Sequence, residues 1–574
     1  MARLIFSPDH FLHTSFPPLL IAHSIQKILN KRKQKEQNEQ TKNNPPPLNS
    51  LCYSPYHSSS MIVKTIGSAV QGVEAISIVI EVDVSPKGTQ FHIVGLPDSA
   101  VKESEQRIES AITNIGFRFP RFRTVVNMAP ANIRKAGSAY DLPIALGLLA
   151  ASEQIDSTAL SQFTIMGELS LDGTVQPIRG ALPIAIQARK EGFRGLIVPA
   201  SNAREAAMVN NLEVYGVTHL REVIDFLLAP STLQPVYVDT RTEFANAHHQ
   251  FDVDFNDVKG QYTIKRALEV AAAGGHNALL IGPPGAGKTM LARRLSTILP
   301  PLSLHEALET TKIHSVAGKL PADTSLVTQR PFRAPHHTIS HTALIGGGSI
   351  PQPGEISLAH NGILFLDELP EFSRQALEVM RQPLEERRVS IARAKLSVDF
   401  PASFTLLASM NPCPCGFFNH PVKACTCLPG SVQRYLNRVS GPLMDRIDLH
   451  IEVTPVPVES LLDHTYGESS KDIRERVITA REIQTARFNG YKGIYCNAQM
   501  NSQLLRKVCR LNSEGEDLLK NAMQKLKLSA RAYDRILKVS RTAADLEGSE
   551  HIKTEHLAEA IHCRSLDRQD WWDK

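Results

Sequence analysis

The sequence predicts an α/β multidomain protein: one α/β domain, a second α/β domain built on a phosphate-binding loop, and a helical C-terminal region. Three observations carry this prediction. From 61 to 235, short strand-like apolar runs alternate with helix-length amphipathic segments. At Gly282–Thr289, a glycine-rich stretch ending in Lys-Thr stands between the apolar run Ala278–Ile281 and a helix-like segment from Met290. Beyond residue 460 the chain is charged, with apolar residues at helical spacing.

Composition sets the bounds. The 574 residues, 42% hydrophobic and 21% charged, are those of a soluble globular chain with room for several cores. No apolar run approaches the ~18 residues of a membrane helix, so no membrane role is expected. The formal charge is +5, but residues 1–60 hold seven Lys/Arg against three Asp/Glu, which leaves about +1 for the remainder. Overall basicity therefore does not argue for nucleic acid, and any such surface must be local. Four of the eight cysteines crowd into residues 413–427, while Cys52, Cys496, Cys509 and Cys563 are scattered. This is no secreted disulfide framework, and a reducing, cytoplasmic compartment is expected.

Residues 1–60 are predicted to be a disordered extension. Lys31–Gln40 is charged and amide-rich, Asn43–Pro47 and Ser58–Ser60 follow, and such composition buries no core. Met61 opens an ordered pattern and is the expected functional start; the alternative is a translated flexible tail.

Residues 61–235 form the first domain. Ile76–Val84 alternates as a strand, and Phe91–Pro97 is a second strand ended by Pro97. Asp98 is placed to cap a helix running to about Ile115, with Val101, Ile108, Ala111 and Ile112 on one face. Thr124–Met128 is a strand and Leu142–Ala151 a helix. Phe163–Val175 is a hairpin turning at Asp172-Gly173. Ala181–Glu191 is helical and Gly195–Pro199 a strand. A linker is expected at 236–250, after Pro235 and containing His248-His249.

Residues 251–460 carry the chemistry. The loop Gly282, Pro283, Pro284, Gly285, Ala286, Gly287, Lys288, Thr289 can curl so that backbone N–H groups face phosphate oxygens at a helix N-terminus. Lys288 would reach the β- and γ-phosphates, and Thr289 would hold Mg²⁺. Ile363–Glu368 reads as a buried strand ending in two carboxylates. Asp367 would hold Mg²⁺ through its hydration shell, and Glu368 would orient and deprotonate the attacking water. Phe404–Asn411 is another buried strand, with Asn411 placed to bond the γ-phosphate or that water. An amphipathic helix is expected at Thr263–Ala272.

Between these elements lie Phe332–Thr338 and Gly346–Glu355, which are loop material. Their His336 and His337, with His341, either hold a metal or line an interface or nucleotide-adjacent surface. Val389 and Ile391, then Leu396 and Val398, describe a hairpin with Arg393 and Lys395 at its tip. That tip is either a contact to a phosphate backbone or a solvated turn.

Cys413-Pro-Cys415 and Cys425-Thr-Cys427 place four thiolates in fifteen residues, which suits tetrahedral Zn²⁺ of the structural kind. His420 could replace one of them, and a redox pair or free thiols are the alternatives. Arg446 follows Gly441-Pro442 and precedes an apolar run, so an exposed corner is expected. There it would complete a neighbouring subunit's site, or else form a surface salt bridge. In the helical region 461–574, Leu528–Leu546 is amphipathic, and Arg531 and Arg535 share one face. In a lid, one of them would contact the γ-phosphate. Trp571-Trp572 has no assigned role beyond the default of simple packing.

Two resemblances follow. Lys135–Pro143 and Gly167–Ile178 resemble the proteolytic domain of Lon-type proteases, which implies a ribosomal S5 domain 2-like fold. The family's Ser nucleophile aligns with Ala139 and its Lys base with Pro183, with Ser138 as a neighbour, so no protease activity is expected. In AAA+ ATPases a segment like Val258-Lys259-Gly260-Gln261 lies beside the adenine. The loop at Gly282–Thr289, Ile363–Glu368, Asn411–Gly416, Ser440–Leu449 and Leu528–Arg531 behind a Lon-like domain together resemble the YifB/ComM family of magnesium chelatase-like AAA+ proteins. That resemblance covers about Met61 to Asp567. It implies ATP and Mg²⁺, a homo-hexameric ring, and for ComM-type members a DNA helicase promoting branch migration in recombination. A chelatase-type motor with partner subunits and an ATPase chaperone remain the alternatives.

Overall fold

The computed structural model describes residues 62–86, 88–246, 251–321, 324–393, 396–418, 420, 422–428, 430–456 and 467–564. The expected extension 1–60, the start at Met61, His248-His249, Lys395 and Trp571-Trp572 lie outside the described residues.

The first domain is a seven-stranded mixed sheet. Its spatial order is Phe91–Val94, Arg123–Ala129, Glu74–Ser85, Val63–Gln71, Phe163–Ile165, Gly195–Pro199, Glu213–Val217. The helix Asp141–Ala151 is buried along its whole length, which is why its sequence is apolar on every face. Asp98 does cap, its Oδ1 accepting the Val101 N–H at 2.9 Å, but the expected single helix breaks at Glu103 into Ser99–Lys102 and Ser104–Asn114.

The expected hairpin 163–175 is also divided. Phe163–Ile165 pairs in parallel with the strands Val63–Gln71 and Gly195–Pro199. Only Glu168–Leu169 and Val175–Gln176 form the hairpin, and Gly173 turns it at φ 92°. Parallel pairing in the large sheet buries Phe163 and Ile165, which an isolated hairpin could not do. In the expected linker, Thr240–Asn246 is helical. It is fastened by the Thr240 hydroxyl to Met208 O at 3.1 Å and by Glu243 to Arg204 at 3.0 Å.

The second domain holds five parallel strands in the order Phe332–Arg333, Ile363–Leu366, Thr405–Met410, Ala278–Ile281, Leu449–Glu452. Three strands therefore deliver the glycine loop, Asn411 and the carboxylates Asp367 and Glu368 to one sheet edge, the carboxyl end, where ligands bind in open α/β sheets. The helices Ser470–Arg487, Ser502–Val508, Ser513–Leu526, Ala530–Leu546 and Thr554–His562 form the C-terminal region. They share a core with the helix Tyr262–Gly274, so the lid is packed on the nucleotide domain.

Buried ion pairs fasten that region. Asp448 accepts the Asn277 N–H at 2.9 Å and pairs with Arg535 at 2.8 Å. Burial, the largest single influence, would raise its carboxyl; the Arg535 guanidinium, His276 and the Lys538 ammonium together outweigh it and hold the carboxyl below the usual range. Asp545 binds Arg487 and Arg541. The two α/β domains also share packing. Leu302, Ala307 and Leu326 join the first domain's core, Gly180 N–H donates to Ser315 O at 3.2 Å, and the Ser315 hydroxyl meets the buried Glu205. No helix among the described residues is long and apolar enough to cross a membrane.

Candidate nucleotide site

The loop's glycines are required by backbone shape. Gly285 and Gly287 sit at φ 79° and 86°, and a Cβ on Gly282 would lie 2.2 Å from Val453 O. Lys288 opens the helix Lys288–Ile298, so the loop ends on a helix N-terminus. Pro284 to Met290 line one open cavity together with Asp367, Glu368, Ser409, Met410 and Asn411.

Within it, Lys288 Nζ donates to Gly282 O at 2.7 Å, Pro283 O at 3.0 Å and Asn411 Oδ1 at 3.0 Å. Burial lowers its ammonium pKa, against the pull of Asp367 and Glu368. Thr289 Oγ1 donates to Asp367 Oδ2 at 2.8 Å, and the Ser409 hydroxyl bonds the other Asp367 oxygen. A hydroxyl and a carboxylate in contact suit a hydrated Mg²⁺ between loop and strand. Glu368 follows at φ 55°, a left-handed conformation that a non-glycine rarely takes, and this turn sends its carboxylate into the cavity. Gln261, also left-handed, donates to Ala286 O at 3.2 Å and Thr454 O at 3.1 Å, so it braces the loop. Val258 is buried in the nucleotide domain's core; neither residue lines the cavity.

Sequence reasoning missed Ser409 and gave His337 no partner. Ser409 is hidden as the alternate position of a buried strand. Loop composition places His337 at a metal, an interface or a nucleotide-adjacent surface; its Nδ1 lies 3.5 Å from Glu368 Oε2, and its ring is tilted 34° against that of His336 at 4.1 Å between centroids. Its position after the outermost strand gives it a line to the carboxylate that composition could not reveal. Replacing His337 by Ala is expected to lower ATP turnover by about tenfold, the cost of one polar contact to Glu368, with ATP affinity unchanged. Steady-state kinetics would check this.

Arg446 requires a correction. It is not at an exposed corner: only 8% of it is accessible, and its guanidinium is held by Glu385 and the Pro442 carbonyl. The short helix Gly441–Met444 folds the chain back, so the side chain lies against the helix Arg381–Glu386 of the same chain. Arg531, by contrast, is 60% exposed and pairs with Asp445 at 3.2 Å. Arg535 reaches Asp448, so the expected shared face is directed at one segment, 445–448. Neither Arg446 nor Arg531 lines the cavity that holds Lys288.

The four cysteines converge, their sulfurs all within 4.8 Å of one another. Cys413 lies 3.3 Å from Cys415 and 3.7 Å from Cys425, and Cys415 lies 3.6 Å from Cys425. His420 is not among them; its Nδ1 accepts the N–H groups of Val422 and Lys423 at 3.1 and 3.0 Å. The expected hairpin is present as Arg388–Arg393 with Leu396–Pro401, Arg393 exposed beside its tip. It lies against a second hairpin, Gly346–Gly347 with Gln352–Pro353. In the first domain, the Ser138 hydroxyl bonds Glu168, Lys135 bonds the Pro130 carbonyl, Ala139 lies in the one-turn helix Ser138–Tyr140, and Pro183 is buried in the helix Ala181–Lys190.

Three stretches of the chain match known families. Residues 254–461 match the family described as magnesium chelatase, subunit ChlI. Residues 80–202 match subunit ChlI of Mg-chelatase, and 467–564 match the C-terminal part of magnesium chelatase subunit ChlI. The chain is 45% identical to competence protein ComM of Haemophilus influenzae over 501 residues, 87% of this chain and 97% of that protein. It is 44% identical to YifB of Escherichia coli over 502 residues, 87% and 96% of the two chains. Over 153 residues it is 33% identical to Lon protease 2 of Bacillus subtilis, 25% of this chain and 27% of that one.

Proposed function

The chain belongs to the YifB/ComM family of magnesium chelatase-like AAA+ ATPases, and from that premise we propose that it is a ring-forming, ATP-driven motor that acts on DNA, a helicase promoting branch migration in recombination or natural transformation. The observation that carries the motor reading is the joined set Lys288–Asn411 and Thr289–Asp367, with Glu368 beside it. Phosphate, metal and water-activating groups come from three strands, so hydrolysis can be felt across the whole sheet. A homo-hexamer in the cytoplasm is the working form. ATP and Mg²⁺ are its cofactors, and Zn²⁺ is the ion for the four cysteines. The name of the Haemophilus relative refers to competence, which favours DNA taken up by the cell as substrate.

The DNA reading rests on Arg393 beside the hairpin tip, with Lys395 two positions on in sequence. Basic side chains on paired hairpins of a ring suit a phosphate backbone. The first domain serves as a scaffold without protease activity, since Ala139 and Pro183 stand where the dyad would be. A chelatase-type motor with a protein partner is the second reading, favoured by the three matched family segments.

ATP turnover should rise on adding single-stranded or branched DNA. Arg393→Glu should weaken DNA binding and reduce the salt slope by about one for each phosphate no longer neutralised. DNA that neither binds nor stimulates a hydrolysing enzyme would transfer the proposal to the partner-protein reading.

A further inference from the structure

The cysteine cluster is the continuation of the catalytic strand. Cys413 is two residues beyond Asn411 and fully buried. Gly416 N–H donates to Cys413 O at 3.0 Å, a tight turn that swings the backbone onto the glycine loop. Gly416 is at φ 83°, and a Cβ there would stand 2.5 Å from Pro284 Cδ. Only glycine permits that approach. On the far side of the cluster, the helix Ser431–Leu436 returns the chain, and its Tyr435 hydroxyl lies beside the backbone of Asn411. The segment from Asn411 to Tyr435 is thus a loop whose two ends meet at Asn411, the residue whose side chain accepts from Lys288.

The donor set fits a soft, tetrahedral ion. Zn²⁺ bonded to four thiolates at ~2.3 Å needs sulfur separations of about 3.8 Å. The measured 3.3, 3.7 and 3.6 Å lie close to this, and Cys415 N–H points at Cys427 Sγ from 3.4 Å, as a bond to thiolate requires. A disulfide would need about 2.05 Å.

We propose that these four cysteines bind one Zn²⁺-class ion as a clasp that fixes Asn411 and the Pro284 wall of the nucleotide site, so that ATP turnover depends on the bound metal. Cys413 and Cys415 belong to the strand end, and Cys425 and Cys427 to the returning limb. A single ion bonded to both pairs holds the loop closed at its base. Without it, Asn411 loses the support that keeps its amide on Lys288, and Gly416 is free to leave Pro284. The coupling rests on the ATPase reading above, whereas the metal site does not.

The full-length protein, purified under reducing conditions without added metal, should release one zinc per chain to a chromogenic chelator after thiol modification. The cobalt-loaded protein should show thiolate-to-Co²⁺ charge transfer and tetrahedral d–d bands. Cys425→Ser with Cys427→Ser, both remote from Asn411, should lose the metal. It should also lower kcat about tenfold, in the range of an outer-shell change, while the thermal melt stays cooperative. Hydrogen exchange in peptides covering 282–289 should quicken on metal removal, a readout that needs no activity. Gly416→Val should retain the zinc yet show the same kcat loss.

No metal in the purified chain, or two disulfides in its place, would overturn the site. Metal removal that changes neither kcat nor exchange at 282–289 would overturn the clasp. A wild-type chain with zinc and no ATP turnover would sink the ATPase reading alone, leaving exchange to decide the clasp.

Discussion

Replacing Glu368 by Gln is expected to lower ATP turnover by about 10²–10⁴-fold, the usual worth of a positioned general base, while ATP affinity stays near that of the unaltered chain. The split follows from geometry. Lys288 is bonded to Gly282, Pro283 and Asn411 and Thr289 to Asp367, the groups proposed for phosphates and metal; the distinct feature of Glu368 is the left-handed turn that aims it into the cavity. The amide keeps the size and the hydrogen bond but cannot accept the water's proton. Binding of a fluorescent ATP analogue, measured beside phosphate release, reads both halves. Turnover that survives the exchange would remove Glu368 from the mechanism.

Arg531→Ala is expected to cost about 10³–10⁵-fold in turnover, the range for an arginine that neutralises a transferring phosphoryl group. It should do so without unfolding the chain, because the side chain is 60% exposed and its single ion pair, to Asp445, is a surface one. Arg531 stands away from the cavity of its own subunit, on the corner that includes Asp445. The active arrangement is therefore expected across a subunit interface. Mixing Arg531→Ala chains with Glu368→Gln chains is the measurement. Where a Glu368→Gln subunit presents its Arg531 to the intact cavity of an Arg531→Ala neighbour, activity should reappear. Mixtures no more active than their parents would place Arg531 in its own subunit's site.

The nucleotide chemistry was legible from the sequence because each group ends an apolar run. Gly282, Asp367 and Asn411 follow Ala278–Ile281, Ile363–Leu366 and Thr405–Met410. A buried strand can carry a polar group only at its end, so the pattern identifies the site edge before the sheet is known. The four cysteines were legible for a similar reason: two close pairs separated by nine residues need only a local loop to meet. The helix cap at Asp98 depends on neighbours within one turn, and Asp98 acts as a cap.

Arg446 shows where this ends. Gly441-Pro442 announces a turn, but no nearby residue reveals that the helix Arg381–Glu386, some sixty positions earlier, supplies Glu385 and covers the guanidinium. The Phe163–Val175 segment fails in the same way. Its turn is read correctly, yet Phe163–Ile165 joins strands about a hundred positions upstream and thirty downstream. His337 acquires Glu368, and Gly416 acquires Pro284, across comparable gaps.

The sequence by itself determined which residues can hold a nucleotide, and that two α/β domains and a helical lid surround them. The tertiary structure alone decided which of two candidate arginines is exposed, what stands beside Glu368, and that the cysteine loop leans on Pro284. Backbone propensity and side-chain chemistry are local and can be read along the chain. Burial and partnership arise from contacts between segments far apart in sequence, and these exist only once the sheet order has been set.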